Sequence, residues 1–233
     1  MLHVMARGLF PSIDAMLDPA VLSSLLGRDV SGVRRVERGV ESSAYSGSTL
    51  TGIEVVADSE TVRLLLKPVS RAWDYFMRVT GDDSGREALV WTTGLLDRLP
   101  PELTHAYIAC ARHDDGWAIL MRDVSDALLS NAGALGVDDH LLMLDALAAF
   151  HAAFWDDPGA ARVADGFNDP ANFYRVISPD AARNDPDPSG VMPRIVRDGW
   201  QRLPDALRPD LAAALLSLAN DPAPLRRALD QYP

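Results

Sequence analysis

The sequence has little cysteine and no long apolar segment. Its 233 residues include one cysteine, so the chain cannot form an internal disulfide. The first ten residues contain Arg7 and lack the hydrophobic run that a signal peptide or a membrane span needs. We therefore expect a protein of the reducing cytoplasm that does not act at a membrane.

Basic residues are also scarce. Lys and Arg total 22 against 33 Asp and Glu, and the formal net charge is −11. This balance disfavours a general affinity for phosphate backbones, so nucleic acid is not an expected partner, although a local basic pocket could still hold a small anion. The sequence contains no repeat of about 20–50 residues, which excludes solenoids and propellers. A hydrophobic fraction of 48% with 24% charged residues indicates a folded globular chain.

Residues 31–124 predict a small antiparallel sheet with one helix. Short β-branched runs are separated by Gly and Asp, and Asp114-Asp115-Gly116 is a hairpin signal between the last two runs. A helix is expected after Asp82, with acidic residues in its first turn and Pro100-Pro101 after its end. The five predicted strands lie near residues 33–36, 48–56, 61–67, 105–112 and 117–121.

The remaining sequence predicts helices. Residues 138–156 carry apolar residues at three- and four-residue spacing, which is typical of a helix buried along one stripe. The stripe comprises Leu141, Leu144, either Leu147 or Ala148, His151 and Phe154. Shorter helices are expected at about 192–202, 209–219 and 224–230, and within the first 30 residues. Because strands and helices do not alternate, the order favours α+β, with a small sheet lobe and a helical lobe, over a Rossmann-like fold.

Two residues suggest nucleotide chemistry. Lys67 ends the third predicted strand, and Glu87 lies in the first turns of the next predicted helix. A strand lysine can neutralise the α- and β-phosphates of a nucleotide, and a helix glutamate can fix its ammonium group. Two simpler roles stay open: the lysine protects an exposed strand edge, and the glutamate complements the helix dipole.

The order of these features resembles the N-terminal part of the aminoglycoside phosphotransferase and choline kinase-like family, which has a protein-kinase-like fold. The resemblance covers roughly residues 33–233. It depends on Leu65-Leu66-Lys67, Arg86-Glu87-Ala88, the segment Ile119-Leu120-Met121-Arg122-Asp123-Val124 and the helix around Leu144 to His151. It implies a five-stranded antiparallel N-lobe with one helix, followed by a partial helical lobe. The corresponding divisions are an N-terminal helical segment at 1–30, the N-lobe at 31–121, a hinge at 122–125 and helices at 126–233.

The resemblance also implies a set of ATP-binding residues. Lys67 would bind phosphate with Glu87 as its partner, and a loop of small residues would cover the phosphates through its backbone N–H groups. The backbone of a hinge segment, at Arg122 and Val124, would meet the adenine edge. The loop residues are Ser42, Ser43, Tyr45 and Ser46, and the hinge residues are Met121, Arg122 and Val124.

One part of the family pattern is missing from the sequence. Members carry a His-Gly-Asp motif with an Asn five residues after the Asp and a later metal-binding Asp, which orient the acceptor hydroxyl and hold Mg²⁺. No histidine here begins such a motif; the nearest, His113-Asp114-Asp115, is followed by Leu120 where Asn is required. We therefore expect the front part of an ATP- and Mg²⁺-dependent kinase of a small-molecule alcohol, inactive as it stands. The alternative is a non-catalytic kinase-like binding or interaction module.

Other candidate sites are weaker. Cys110, His105 and His113 lie close in sequence but lack the repeated spacing of a zinc site. His151 lies on the apolar stripe of its helix, where a hydrogen-bonded core histidine is favoured over a catalytic one.

Overall fold

The computed structural model describes residues 8–36, 48–127, 135–164, 166–167, 171–229 and 231. These residues form two compact units. The first contains the described parts of residues 1–40, 50–68 and 86–166, and the second contains those of 41–49, 69–85 and 167–233. The domain divisions implied by the resemblance remain predictions.

A six-stranded mixed sheet organises the first unit. The strands are β1 (Leu9–Phe10), β2 (Val30–Val36), β3 (Thr51–Ala57), β4 (Glu60–Val69), β5 (Tyr107–His113) and β6 (Gly116–Arg122). Their order across the sheet is β1-β5-β6-β4-β3-β2. Antiparallel hairpins join β2 to β3, β3 to β4 and β5 to β6, as the turn signals predict.

We expected five strands in a purely antiparallel sheet, and both expectations are wrong because of β1. With β1 the sheet has six strands and is mixed. This strand pairs parallel with β5, with Leu9 opposite Cys110 and Phe10 opposite Ala111. Two residues are too short to show an alternating pattern, and the partner lies about a hundred residues away in the sequence. The α+β class itself is confirmed.

The core of the first unit lies on one face of this sheet. Alternate residues such as Ile53, Val55, Leu64 and Leu120 face it. Two short helices, α1 (Ile13–Met16) and α2 (Pro19–Leu26), cover this face and add the fully buried Met16 and Leu22. The Asp18 carboxylate accepts hydrogen bonds from the Ala20 and Val21 N–H groups and thereby caps α2.

A second set of apolar side chains occupies the opposite face. Helix α4 (Arg86–Thr92) packs against β5 and β6 and buries Ala88 and Trp91. It ends at Thr92, and Gly94, two residues later, has a φ of +70°, the left-handed conformation common just after a helix. A 3₁₀ turn, η1 (Leu95–Arg98), follows, and another, η2 (Ser125–Ala127), follows β6.

The long helix predicted at residues 138–156 is present, but its stripe is not buried. Helix α5 runs over Val137–Phe154, and the Asp139 carboxylate accepts a hydrogen bond from the Gly136 N–H at its start. Leu141, Leu144 and Leu147 are 53%, 60% and 50% exposed. His151 is also exposed, so the favoured role as a core histidine is wrong. Periodicity predicted the helix correctly, whereas burial depends on a partner surface. Helix α6 (Pro158–Ala164) follows.

The second unit is helical. Its elements are α3 (Tyr75–Thr80), α7 (Ala171–Tyr174), η3 (Arg175–Ile177), α8 (Pro179–Arg183), α9 (Val191–Ala206), α10 (Pro209–Asn220) and α11 (Ala223–Leu229). The last three confirm the helices expected near residues 192, 209 and 224. Helix α3 was not predicted, and it is tied to η3 by the Tyr75 hydroxyl, which donates to the Val176 carbonyl at 2.9 Å. No helix in the described ranges is long and apolar enough to cross a membrane.

Candidate functional site

Lys67 lies on the side of the sheet opposite the main core. Strand β4 has β3 and β6 as its neighbours, so Lys67 belongs to an interior strand rather than an edge strand. Leu64 and Leu66 point into the core, and the strand alternation places Lys67 with Leu65 on the other face. The simpler role, protection of an exposed sheet edge, therefore does not apply to this lysine.

Glu87 meets Lys67 on this face. It lies in the first turn of α4, where the helix dipole favours a carboxylate. Its Oε1 lies 2.5 Å from the Nζ of Lys67, and the two side chains are 31% and 23% exposed. An ion pair of this length joins an interior strand to the helix that packs beside it. The structure thus brings together the two residues that the sequence singled out.

The second carboxylate oxygen of Glu87 points into the protein. Oε2 is buried and has no hydrogen-bond partner among the described residues. Burial raises the pKa of the Tyr107 phenol, and the nearby Glu87 carboxylate raises it further. Burial, with a smaller contribution from Glu87, also raises the pKa of the Cys110 thiol to about 12. Both groups are therefore neutral near pH 7, and Lys67 supplies the positive charge beside Glu87.

A bulge in β5 explains why Tyr107 and Cys110 are both close to Glu87. The pairing with β6 shifts between Tyr107 and Ala109, and both Ile108 and Ala109 pack toward the core. Tyr107 consequently lies on the same face as Cys110, although strict alternation would put them on opposite faces. The position of Tyr107 beside Glu87 is not predictable from the sequence, because a bulge leaves no clear residue pattern. Cys110 was noted only as a poor zinc candidate.

The predicted hinge begins at Arg122, the last residue of β6. The Arg122 N–H donates to the Ala106 carbonyl at 2.8 Å, and the Asp123 N–H donates to the Arg63 carbonyl at 3.3 Å. The Val124 N–H makes no hydrogen bond to the described residues, while its carbonyl accepts from the Ala127 N–H. Met121 is half-buried, and Arg122 and Val124 are exposed. An adenine edge could therefore use the Val124 N–H but not the Arg122 N–H.

The remaining predicted ATP-binding residues belong to the loop expected over the phosphates. Ser42, Ser43, Tyr45 and Ser46 lie outside the described residues. Within the described ranges, no three His, Cys, Asp or Glu side chains are grouped so as to hold a metal ion. The residues around Lys67 do not fit Mg²⁺, which prefers several oxygen ligands in an octahedral arrangement, and Glu87 is occupied by the lysine.

Comparisons with known proteins identify no relative. Models of protein families, curated proteins and solved structures all give no match to this chain. The candidate site therefore depends on its geometry alone.

Proposed function

We propose that this chain binds ATP on the face of the sheet that carries Lys67, in the manner of small-molecule kinases of the aminoglycoside phosphotransferase and choline kinase-like type. The observation that carries the proposal is the ion pair between Lys67 on β4 and Glu87 on α4. In phosphotransferases such a pair holds the ammonium group in the orientation that neutralises nucleotide phosphates.

Two further features support an ATP site. Strand β6 is a neighbour of β4, and its last two residues, Met121 and Arg122, begin the segment that ends at Val124. The Val124 N–H is available within the described chain to an acceptor on a purine edge. The site would therefore combine one fixed cation for the phosphates with backbone hydrogen bonding for the base.

We do not propose phosphate transfer by these 233 residues. Transfer to an alcohol requires a carboxylate that orients the hydroxyl and oxygen ligands for Mg²⁺, and the sequence lacks the His-Gly-Asp motif that would supply them. A complete kinase of this type would act on a small-molecule hydroxyl in the cytoplasm.

The second candidate function is a non-catalytic module that keeps a kinase-like lobe as a scaffold. It is favoured by one observation: the described residues hold no group suited to a metal ion. In this case the ion pair between Lys67 and Glu87 would only connect α4 to the sheet, and no nucleotide would bind.

A thermal-shift titration with Mg-ATP separates the two functions. A ligand that binds only the folded state raises the melting temperature as its concentration rises. We expect a shift for the wild type and for Arg35→Met, a control that removes an exposed cation paired with Asp14 on the other face. The shift should be lost in Lys67→Met. A wild type that shows no shift favours the scaffold.

Photolabelling with 8-azido-ATP gives independent evidence on the base. The azide is attached to the purine, so labelling reports the residues that surround it. The proposal predicts that the labelled peptide contains Met121 to Val124 and that excess ATP prevents the labelling. Labelling confined to peptides of the second unit would contradict it.

A further inference from the structure

A cavity of about 530 Å³ lies within the second unit, where α7 and η3 meet α10 and α11. Its volume falls within the range of small-molecule sites, about 300–1,000 Å³. The residues that define its chemistry are Asn172, Arg175, Asn220, Asp221, Arg226 and Arg227.

Positive charge dominates this cavity. Its described lining has three arginines and one acid, Asp221, in a chain whose net charge is −11. One oxygen of Asp221 accepts the Ala223 N–H at 3.1 Å and so serves the turn before α11. Arg226 and Arg227 lie in the last turn of that helix, and Arg175 begins η3. Arginine side chains are charged at all ordinary pH values, so a wall with three of them favours an anionic ligand.

Hydrogen bonds hold the two asparagine side chains of the cavity in place. The Ser178 hydroxyl, on a residue that is 3% exposed, donates to Oδ1 of Asn220 at 2.6 Å. Asn220 therefore keeps its two amide N–H groups as donors. The amide of Asn172 donates to the Thr80 carbonyl at 3.4 Å, which connects the cavity wall to α3. The wall thus presents fixed donors beside the arginines.

We propose that this cavity binds a phosphorylated small molecule. A guanidinium group presents a planar fork that matches phosphate oxygens, and its hydrogen bonds to an anion are about twice as strong as neutral ones. The volume leaves space for an organic group beside one phosphate. The site differs from the proposed ATP site, because Lys67 and Glu87 belong to the first unit.

Isothermal titration with glucose 6-phosphate, inorganic phosphate and glucose tests this proposal on the full chain. We expect both phosphates to bind and glucose not to bind. Arg175→Gln and Arg227→Gln should each weaken binding about tenfold, as expected for the loss of one hydrogen bond to a charged group. Arg202→Gln, an exposed arginine on α9 outside the cavity, is the matched control and should bind as the wild type does.

Lys67→Met should bind glucose 6-phosphate as the wild type does. This result would distinguish the cavity from the ATP site. If ATP does not bind, the proposed function is wrong, but the proposal for this cavity is unaffected. The cavity proposal is overturned if neither phosphate binds, if Arg175→Gln and Arg227→Gln bind as the wild type does, or if Arg202→Gln weakens binding equally. Circular dichroism of each variant verifies that the helices are retained.

Discussion

Arg78 and Asp185, 107 residues apart in the sequence, form a two-bond ion pair inside the second unit. Nε of Arg78 lies 2.9 Å from Oδ2 of Asp185, and Nη2 lies 2.8 Å from Oδ1. The side chains are 14% and 1% exposed. The remaining guanidinium nitrogen donates to the carbonyls of Arg71 and Ala72. One arginine thereby connects α3 to two loops.

Removal of this arginine should destabilise the second unit strongly. In Arg78→Met, the Asp185 carboxylate stays buried without a cation, and breaking a buried pair in this way costs about 3–5 kcal/mol. Urea unfolding followed by circular dichroism measures the loss. Arg183→Met, which removes the exposed pair with Asp180, should change the free energy of unfolding by about 1 kcal/mol or less. Equal effects of the two substitutions would contradict the stabilising role of the buried pair between Arg78 and Asp185.

The turn between β3 and β4 offers a stabilising substitution. Asp58 and Ser59 have φ of +49° and +67°, and Ala57 pairs with Glu60 across them, as in a two-residue hairpin turn. Glycine at 59 removes left-handed strain of about 1–2 kcal/mol and adds an entropic cost of about 0.5–1 kcal/mol. Ser59→Gly should therefore raise the unfolding free energy slightly.

The matched control for this substitution is Ser31→Gly. Ser31 lies in strand β2 with no positive φ, so glycine there should lower stability. Denaturant midpoints of the two variants should thus move in opposite directions from the wild type. A lower midpoint for Ser59→Gly would contradict the description of the turn.

The Cys110 thiol should be unreactive in the folded protein. It is fully buried, and burial raises its pKa to about 12, well above that of an exposed thiol. Because the thiolate is the reactive form, folding keeps the protonated thiol dominant up to high pH. Labelling with a disulfide reagent at pH 8 should be slow in buffer and fast in urea. Rapid stoichiometric labelling of the folded chain would contradict both the burial and the raised pKa.

A comparison of two leucines tests whether the apolar stripe of helix α5 is exposed. Leu64 is 2% exposed in the core, whereas Leu144 is 60% exposed. Leu64→Ala should cost about 2–5 kcal/mol, and Leu144→Ala should change stability by about 0.5 kcal/mol or less. Chemical unfolding of both variants measures the difference. A large cost for Leu144→Ala would show that the stripe is buried as the periodicity predicted.

Local patterns in the sequence predicted most of the elements. The hairpin at Asp114 follows from its turn residues, and the helices after residue 190 follow from their flanking prolines and glycines. Helices α3, α6, α7 and α8 were missed because each has seven residues or fewer, too few to show helical periodicity. Strand β1 was missed because it depends on a distant partner.

The candidate site was predictable in part. The positions of Lys67 and Glu87 suggested a pair, and the structure places their charged atoms 2.5 Å apart. The proximity of Tyr107 to Glu87 depends on the bulge in β5, which the sequence does not reveal. The exposure of α5 likewise depends on tertiary contacts rather than on its own pattern.

The equilibrium dissociation constant for Mg-ATP tests whether Lys67 binds nucleotide phosphate as proposed. Isothermal titration should show binding by the wild type and by Arg35→Met. Lys67→Met should weaken it about tenfold or more, since a hydrogen bond to a charged group is lost. Lys67→Met/Glu87→Gln, which leaves no uncompensated carboxylate, should bind equally weakly. Unchanged affinity in both Lys67 variants, or no binding by the wild type, would contradict the account.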